Sequence, residues 1–123
     1  MYSQLVLSLF QAPFHKGNLI GATLTGKAGI QGQGPFMEIY LIHNENVILD
    51  SGFETYTCPA AVACGSFIAK WSCGRTLEEA RKITAEDLNI VLGGLPLGKE
   101  HLAALAIKAL NSALDMANKE VQL

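Results

Sequence analysis

Cys58 has the strongest chemical case in this chain. It stands before Pro59, which suits the first position of a helix and so places Cys58 at the N-cap. There the helix dipole and unpaired N–H groups favour the thiolate, the form that binds metals and attacks electrophiles. His101 falls in the first turn of a second predicted helix. A thiolate and an imidazole carried on two helix starts could meet at one end of a small α+β domain. A merely structural Cys58 fits the same pattern, and residue types leave both readings open. The other thiols differ. Cys64 shares an apolar stripe with Phe67, Ile68 and Trp71, which reads as core filling, and Cys73 closes the same helix beside Gly74. At 100° per residue Cys64 lies roughly 240° around from Cys58, and Cys73 about 180° further, so the three share no face.

Other candidate motifs fall short. Gly93-Gly94-Leu95-Pro96-Leu97-Gly98-Lys99 imitates a phosphate-binding loop, but Glu100 stands where the magnesium-binding hydroxyl is needed. It also follows a helical pattern where the motif requires a strand, so it reads as a helix–helix connection. His15 sits in a loop and reads as structural; His43 sits in a hairpin turn and reads as solvated. No H-E-x-x-H, C-x-x-C or G-x-S-x-G occurs, so zinc-ribbon, thioredoxin-like and serine-hydrolase chemistry have no support.

The elements that must position Cys58 and His101 are legible in outline. Residues 2–10 suggest a short helix with Leu5, Leu9 and Val6 on one face, a strand being the alternative. Leu19–Thr25 is a candidate strand, and the glycine-rich Gly29–Pro35 a loop. Phe36–Ile42 and Val47–Tyr56, joined by Asn44-Glu45-Asn46, read as an antiparallel hairpin. An amphipathic helix then runs from Pro59 to Gly74. Thr76–Glu79 and Thr84–Asp87 are capping boxes, opening helices that reach Lys82 and Gly93-Gly94. A long, Ala-rich helix follows from about Gly98 to Asn118. Strands first and helices after predict an α+β fold, a small sheet of about three antiparallel strands with helices on one face. The 123 residues fit one domain, 1–123.

Composition narrows the function classes. Nine Lys/Arg against eleven Asp/Glu leave a net charge of −2, with no electrostatic reason to bind nucleic acid or an anionic membrane. No apolar run approaches the roughly 18 residues of a membrane span. Met1-Tyr2-Ser3-Gln4 has no signal-peptide character, and three cysteines cannot all pair within the chain. A reducing, cytoplasmic setting is expected.

Several stretches, in order, resemble the iron–sulfur cluster assembly scaffolds of the NifU N-terminal, or IscU-like, family. The resemblance spans residues 2–114. Phe10-Gln11-Ala12-Pro13 looks like the end of that family's opening helix and its N-P turn. Phe53-Glu54-Thr55-Tyr56-Thr57-Cys58 is similar to its F-x-T-[YF]-G-C signature. Ala61-Val62-Ala63 with Ser66 resembles A-I-A-S, and Gly74–Ala80 resembles G-K-[ST]-L-x-E-A. Leu95-Pro96-Leu97-Gly98-Lys99-Glu100-His101 resembles L-P-P-x-K-x-H. The resemblance implies a scaffold-type α+β domain, an iron–sulfur cluster or Zn/Fe ion as cargo, and a cysteine desulfurase or apo iron–sulfur proteins as partners.

The departures from that pattern are specific. Against the family's G-N-P-x-C-G-D loop, Gln33 stands at the cysteine and Pro35 at the aspartate, and Leu102 stands at the third cysteine. Of the ligand set only Cys58 and His101 remain. A [2Fe–2S] cluster takes four protein ligands, mostly thiolates, so a lone chain is not expected to build one in the usual way. The altered L-P-P-x-K stretch weakens the case for chaperone docking. The leading expectation is a divergent scaffold-like binding protein, not an enzyme. In it Cys58 is a thiolate ligand and His101 a neutral imidazole ligand, with water, a partner's residue or Cys58 of a second copy completing the shell. The alternative is a non-ligating paralogue acting as an adaptor or regulator of the assembly machinery. A third reading makes Cys58 a persulfide carrier.

Overall fold

The computed structural model describes residues 2–14 and 16–121, with side chains through Ala117; His15 lies outside the described residues. The elements, in chain order, are α1 (Gln4–Gln11), β1 (Leu24–Gly29), β2 (Phe36–Asn44), β3 (Val47–Thr55), α2 (Pro59–Ser72), α3 (Leu77–Ala80), α4 (Ala85–Val91) and α5 (His101–Val121). The sheet is antiparallel with order β1-β2-β3. Its fold is α+β, as the segregation of strand and helix patterns predicts.

Register decides which face is buried. Leu24, Leu41 and Ser51 lie side by side across the three strands, as do Gly26, Ile39 and Phe53, and Ala28, Met37 and Thr55. All nine are buried, and α2 and α5 pack over them. The opposite face carries Lys27, Glu38 and Glu54 in one row. Alternation would turn Leu49 inward, but β3 holds one extra residue between the pairs Ile42–Asp50 and His43–Ile48. This bulge buries Ile48 instead and leaves Leu49 58% exposed.

Several local rules hold. Thr76 and Thr84 close their capping boxes with Glu79 and Asp87. α4 ends in paired bonds, Gly94 N–H to Asn89 O and Gly93 N–H to Ile90 O, with both glycines at positive φ. Where expectation and structure differ, longer-range contacts are the cause in most cases and a glycine's backbone in one. The first strand is Leu24–Gly29, not Leu19–Thr25, because its pairing with β2 runs from Leu24–Leu41 to Gly29–Phe36. α1 is a helix, but Val6 is its buried residue and Leu5 is exposed, since α1 rests on α2. α5 begins at His101, three residues late, because Gly98 has φ +89° and cannot be helical. His43 lies in β2 and bonds through Nδ1 to the Thr23 hydroxyl at 2.6 Å, so it is neither in the turn nor simply solvated.

The sheet's two outer edges are covered. Gly17 N–H donates to Phe53 O at 2.6 Å, while Gly74 and Leu77 donate to Ile48 and Asn46. On β1, Thr25 N–H meets Met116 Sδ and Lys27 N–H meets Ser112 Oγ. Thus α5 runs antiparallel to β1, stepping four residues for every two of the strand. Its first turn therefore projects past Gly29, toward the Gly29–Pro35 loop. Among the described residues no helix is long and apolar enough to cross a membrane.

Candidate metal or cluster site

One end of the sheet gathers the segments singled out above. The Gly29–Pro35 loop joins β1 to β2 there, β3 ends there at Thr55, and α2 and α5 both begin there. Cys58 is the N-cap of α2, extended at φ −146° and ψ 125°, with Pro59 behind it. It is 6% exposed. Its Sγ closes no capping hydrogen bond, yet the local field acts on it strongly. Burial raises its pKa, but the N–H groups of Ala61 and Ala60, the Tyr56 hydroxyl and the Lys99 ammonium lower it, and the balance falls below the ordinary thiol value. The thiolate is the favoured ligand form.

Tyr56 and Lys99 lie in the motifs above, but their part at Cys58 emerges only from the structure. Tyr56 stands two residues before Cys58 and packs its ring against Phe36, centroids 6.5 Å apart. Burial, then its hydrogen bond to Cys58 and the charge there, push the phenol up to about 12, so it stays a donor. Tyr56 and Cys58 flank Thr57 at the end of a strand, a spacing that can turn both the same way. In the sequence Lys99 belongs to the failed phosphate loop and to the L-P-P-x-K-like stretch, neither of which gives it a part beside Cys58. That loop is indeed a helix–helix connection: Gly98 N–H is taken by Glu100 Oε1 and Leu95 N–H by Asn89 Oδ1.

The remaining candidates separate. Cys64 is fully buried, and burial together with the nearby Cys58 charge pushes its thiol up to about 12. It is core, although its place on the helix leaves it within electrostatic reach of Cys58. Cys73 is the C-cap, its Sγ 3.2 Å from Ser51 Oγ. Fifteen residues of helix put it roughly 22 Å from Cys58. Gln33 and Pro35 are exposed in the loop, and Leu102 is fully buried in the core. His101 is exposed in the first turn of α5. Among the described residues no group of three or more His, Cys, Asp or Glu side chains stands together for a metal.

A family model described as the NifU-like N terminal domain matches residues 1–122. The chain belongs to this family. It is 40% identical over 114 residues to an iron–sulfur cluster assembly scaffold protein IscU of Archaeoglobus fulgidus, covering 93% of this chain and 74% of that one. It is 32% identical over 120 residues to the scaffold protein IscU of Azotobacter vinelandii, covering 92% and 91%. Among solved structures, a candidate cluster assembly scaffold protein for the SUF system from Fervidobacterium islandicum superposes with TM-score 0.68 at 21% identity, covering 92% and 96%. The NifU-like fold thus accounts for the sheet and helices that converge on Cys58.

The site makes one kinetic expectation. Alkylation of Cys58 by a small reagent should show a pH midpoint below that of an ordinary thiol, because its thiolate persists to lower pH. Tyr56→Phe or Lys99→Ala removes a stabilising donor or charge and should move the midpoint up. Cys64 should stay unmodified in the folded protein. Mass-resolved alkylation across pH checks all three, and a midpoint unmoved by either variant would contradict the account.

Proposed function

We propose that this chain is a divergent iron–sulfur cluster assembly scaffold that carries iron, zinc or a cluster intermediate on Cys58, with His101 as a second ligand. The observation that carries this reading is the environment of Cys58. Two helix N–H groups, the Tyr56 hydroxyl and Lys99 all favour its thiolate at the sheet end toward which α5 and its His101 project. The scaffold relatives named above support the class of function. Two protein ligands leave a tetrahedral ion half-coordinated, so the rest of the shell comes from water, a client or desulfurase residue, or Cys58 of a second copy. The protein acts by holding and handing over cargo rather than by turning over a substrate.

Anaerobic reconstitution with iron and sulfide tests this. Wild type should retain iron through desalting, and Cys58→Ser should lose most of it, while the iron-free forms of the two melt at the same temperature. Equally low iron in both would sink the metal reading.

A second reading, a non-ligating adaptor of the assembly machinery, is favoured by one observation. Leu102 occupies a family ligand position with a fully buried apolar side chain, and Gln33 and Pro35 replace two more. It predicts binding to a purified cysteine desulfurase that Cys58→Ser leaves unchanged.

A further inference from the structure

Helix α2 presents Phe67 and Trp71, one turn apart and half-buried, as a ridge with a hollow on either side. The hollow toward α1, ≈ 470 Å³, is lined by Leu5, Leu9 and Cys73, with Lys70 and Arg75. The hollow toward α4, ≈ 380 Å³, is lined by Ile83, Ile90 and Val91, with Lys82 and Asp87. α4 already buries Leu88 in the core, yet leaves Ile90 65% and Val91 44% exposed on this side. Packing of the domain itself covers these side chains only in part, leaving an apolar surface that continues across the two hollows.

The charges say what kind of partner fits. Arg75 lies over the Trp71 ring, 4.2 Å from its centroid, and keeps its charge at the ridge. Among the described residues neither Lys70 nor Lys82 is in an ion pair. Asp87 is the one acid in the two linings; it accepts from Thr84 N–H in its capping box, as Glu79 nearby accepts from Thr76 N–H. The groove is therefore apolar along its floor, with Lys70, Arg75 and Lys82 against the single Asp87 at its margin, a net positive rim.

We propose that this double hollow docks an amphipathic helix of another protein, with apolar residues at i, i+3 or i+4 and i+7 astride the Phe67–Trp71 ridge and acidic residues on its flanks. A second copy of this chain fits poorly, because a two-fold dimer through this groove brings two net positive rims together. None of these residues belongs to the metal proposal, and the groove stands or falls independently of it.

Trp71 is the chain's single tryptophan, so its fluorescence reports on the ridge directly. The probes are three synthetic peptides of about 18 residues, some five helical turns. One has a Leu stripe with Glu flanks, one the same stripe with Lys flanks, and one the Glu peptide's composition in scrambled order. The Glu-flanked peptide should shift Trp71 emission saturably to the blue, with the other two at least about tenfold weaker. Lys70→Glu/Lys82→Glu, surface changes that leave the core intact, should reverse the preference toward the Lys-flanked peptide. Equal binding of all three peptides, no binding, or an unchanged preference in the double variant would overturn the proposal. So would sedimentation showing a dimer at micromolar concentration that Trp71→Glu dissociates, since that makes the occupant a second copy.

Discussion

Gly26→Ala is expected to destabilise the protein by about 3 kcal/mol or more, lowering the melting temperature by roughly 10 °C. A Cβ at this position would stand 2.0 Å from Ala109 O, 2.3 Å from Ala113 N and 2.9 Å from Ala113 Cα. All three are backbone atoms of α5, so no side-chain rotation relieves the clash. The helix must lift from β1, and the contacts of Leu24, Ala28, Ala106 and Leu110 loosen with it. Such a loss is a large fraction of the ~5–15 kcal/mol that holds a domain folded. Because α5 also carries the first turn with His101, the displacement reaches the site. Gly21→Ala is the control. It has φ +86° but nothing within 4 Å, so it bears only the backbone cost of about 1–2 kcal/mol. Thermal melts of the two variants decide it: equal losses would contradict the close approach of α5.

Restoring the family's ligand types should produce the largest change in cargo. The triple variant Gln33→Cys/Pro35→Asp/Leu102→Cys is expected to show a stronger sulfide-containing chromophore than wild type after identical anaerobic reconstitution. The loop bearing positions 33 and 35 is exposed and lies at the Cys58 end of the sheet, so two of the changes add donors without disturbing the core. Position 102 is different. Leu102 is fully buried, and shortening it leaves a void costing about 2 kcal/mol. The triple variant should therefore melt earlier than wild type yet bind more iron and sulfide, two effects of opposite sign that are measured separately. A folded triple variant with no more visible absorption than wild type would mean that the three replacements are not what limits cluster binding.

Much of the fold was legible because it obeys short-range rules. The Thr76 and Thr84 capping boxes, the Gly93-Gly94 helix stop and the Glu45 turn are decided within a few residues, and sequence spacing exposes them. What was not legible depends on residues far apart in the chain. Gly26 looks like a strand breaker in isolation, but it is the residue over which α5 crosses. The bulge at Leu49 reverses which of Ile48 and Leu49 is buried, and no local pattern marks it. At the site, Cys58 was visible from its place before Pro59. Lys99 was not, because its effect on Cys58 arises only when α5 projects past β1. Tyr56 stood in a quoted signature, yet its hydroxyl's role needed the Phe36 contact that sets its ring.

Elemental analysis of the anaerobically purified protein tests the central claim most directly. Wild type should carry iron or zinc at a stoichiometry that falls sharply in Cys58→Ser and in part in His101→Ala, with the metal-stripped forms of all three melting alike. Metal content equal in wild type and Cys58→Ser would contradict the account.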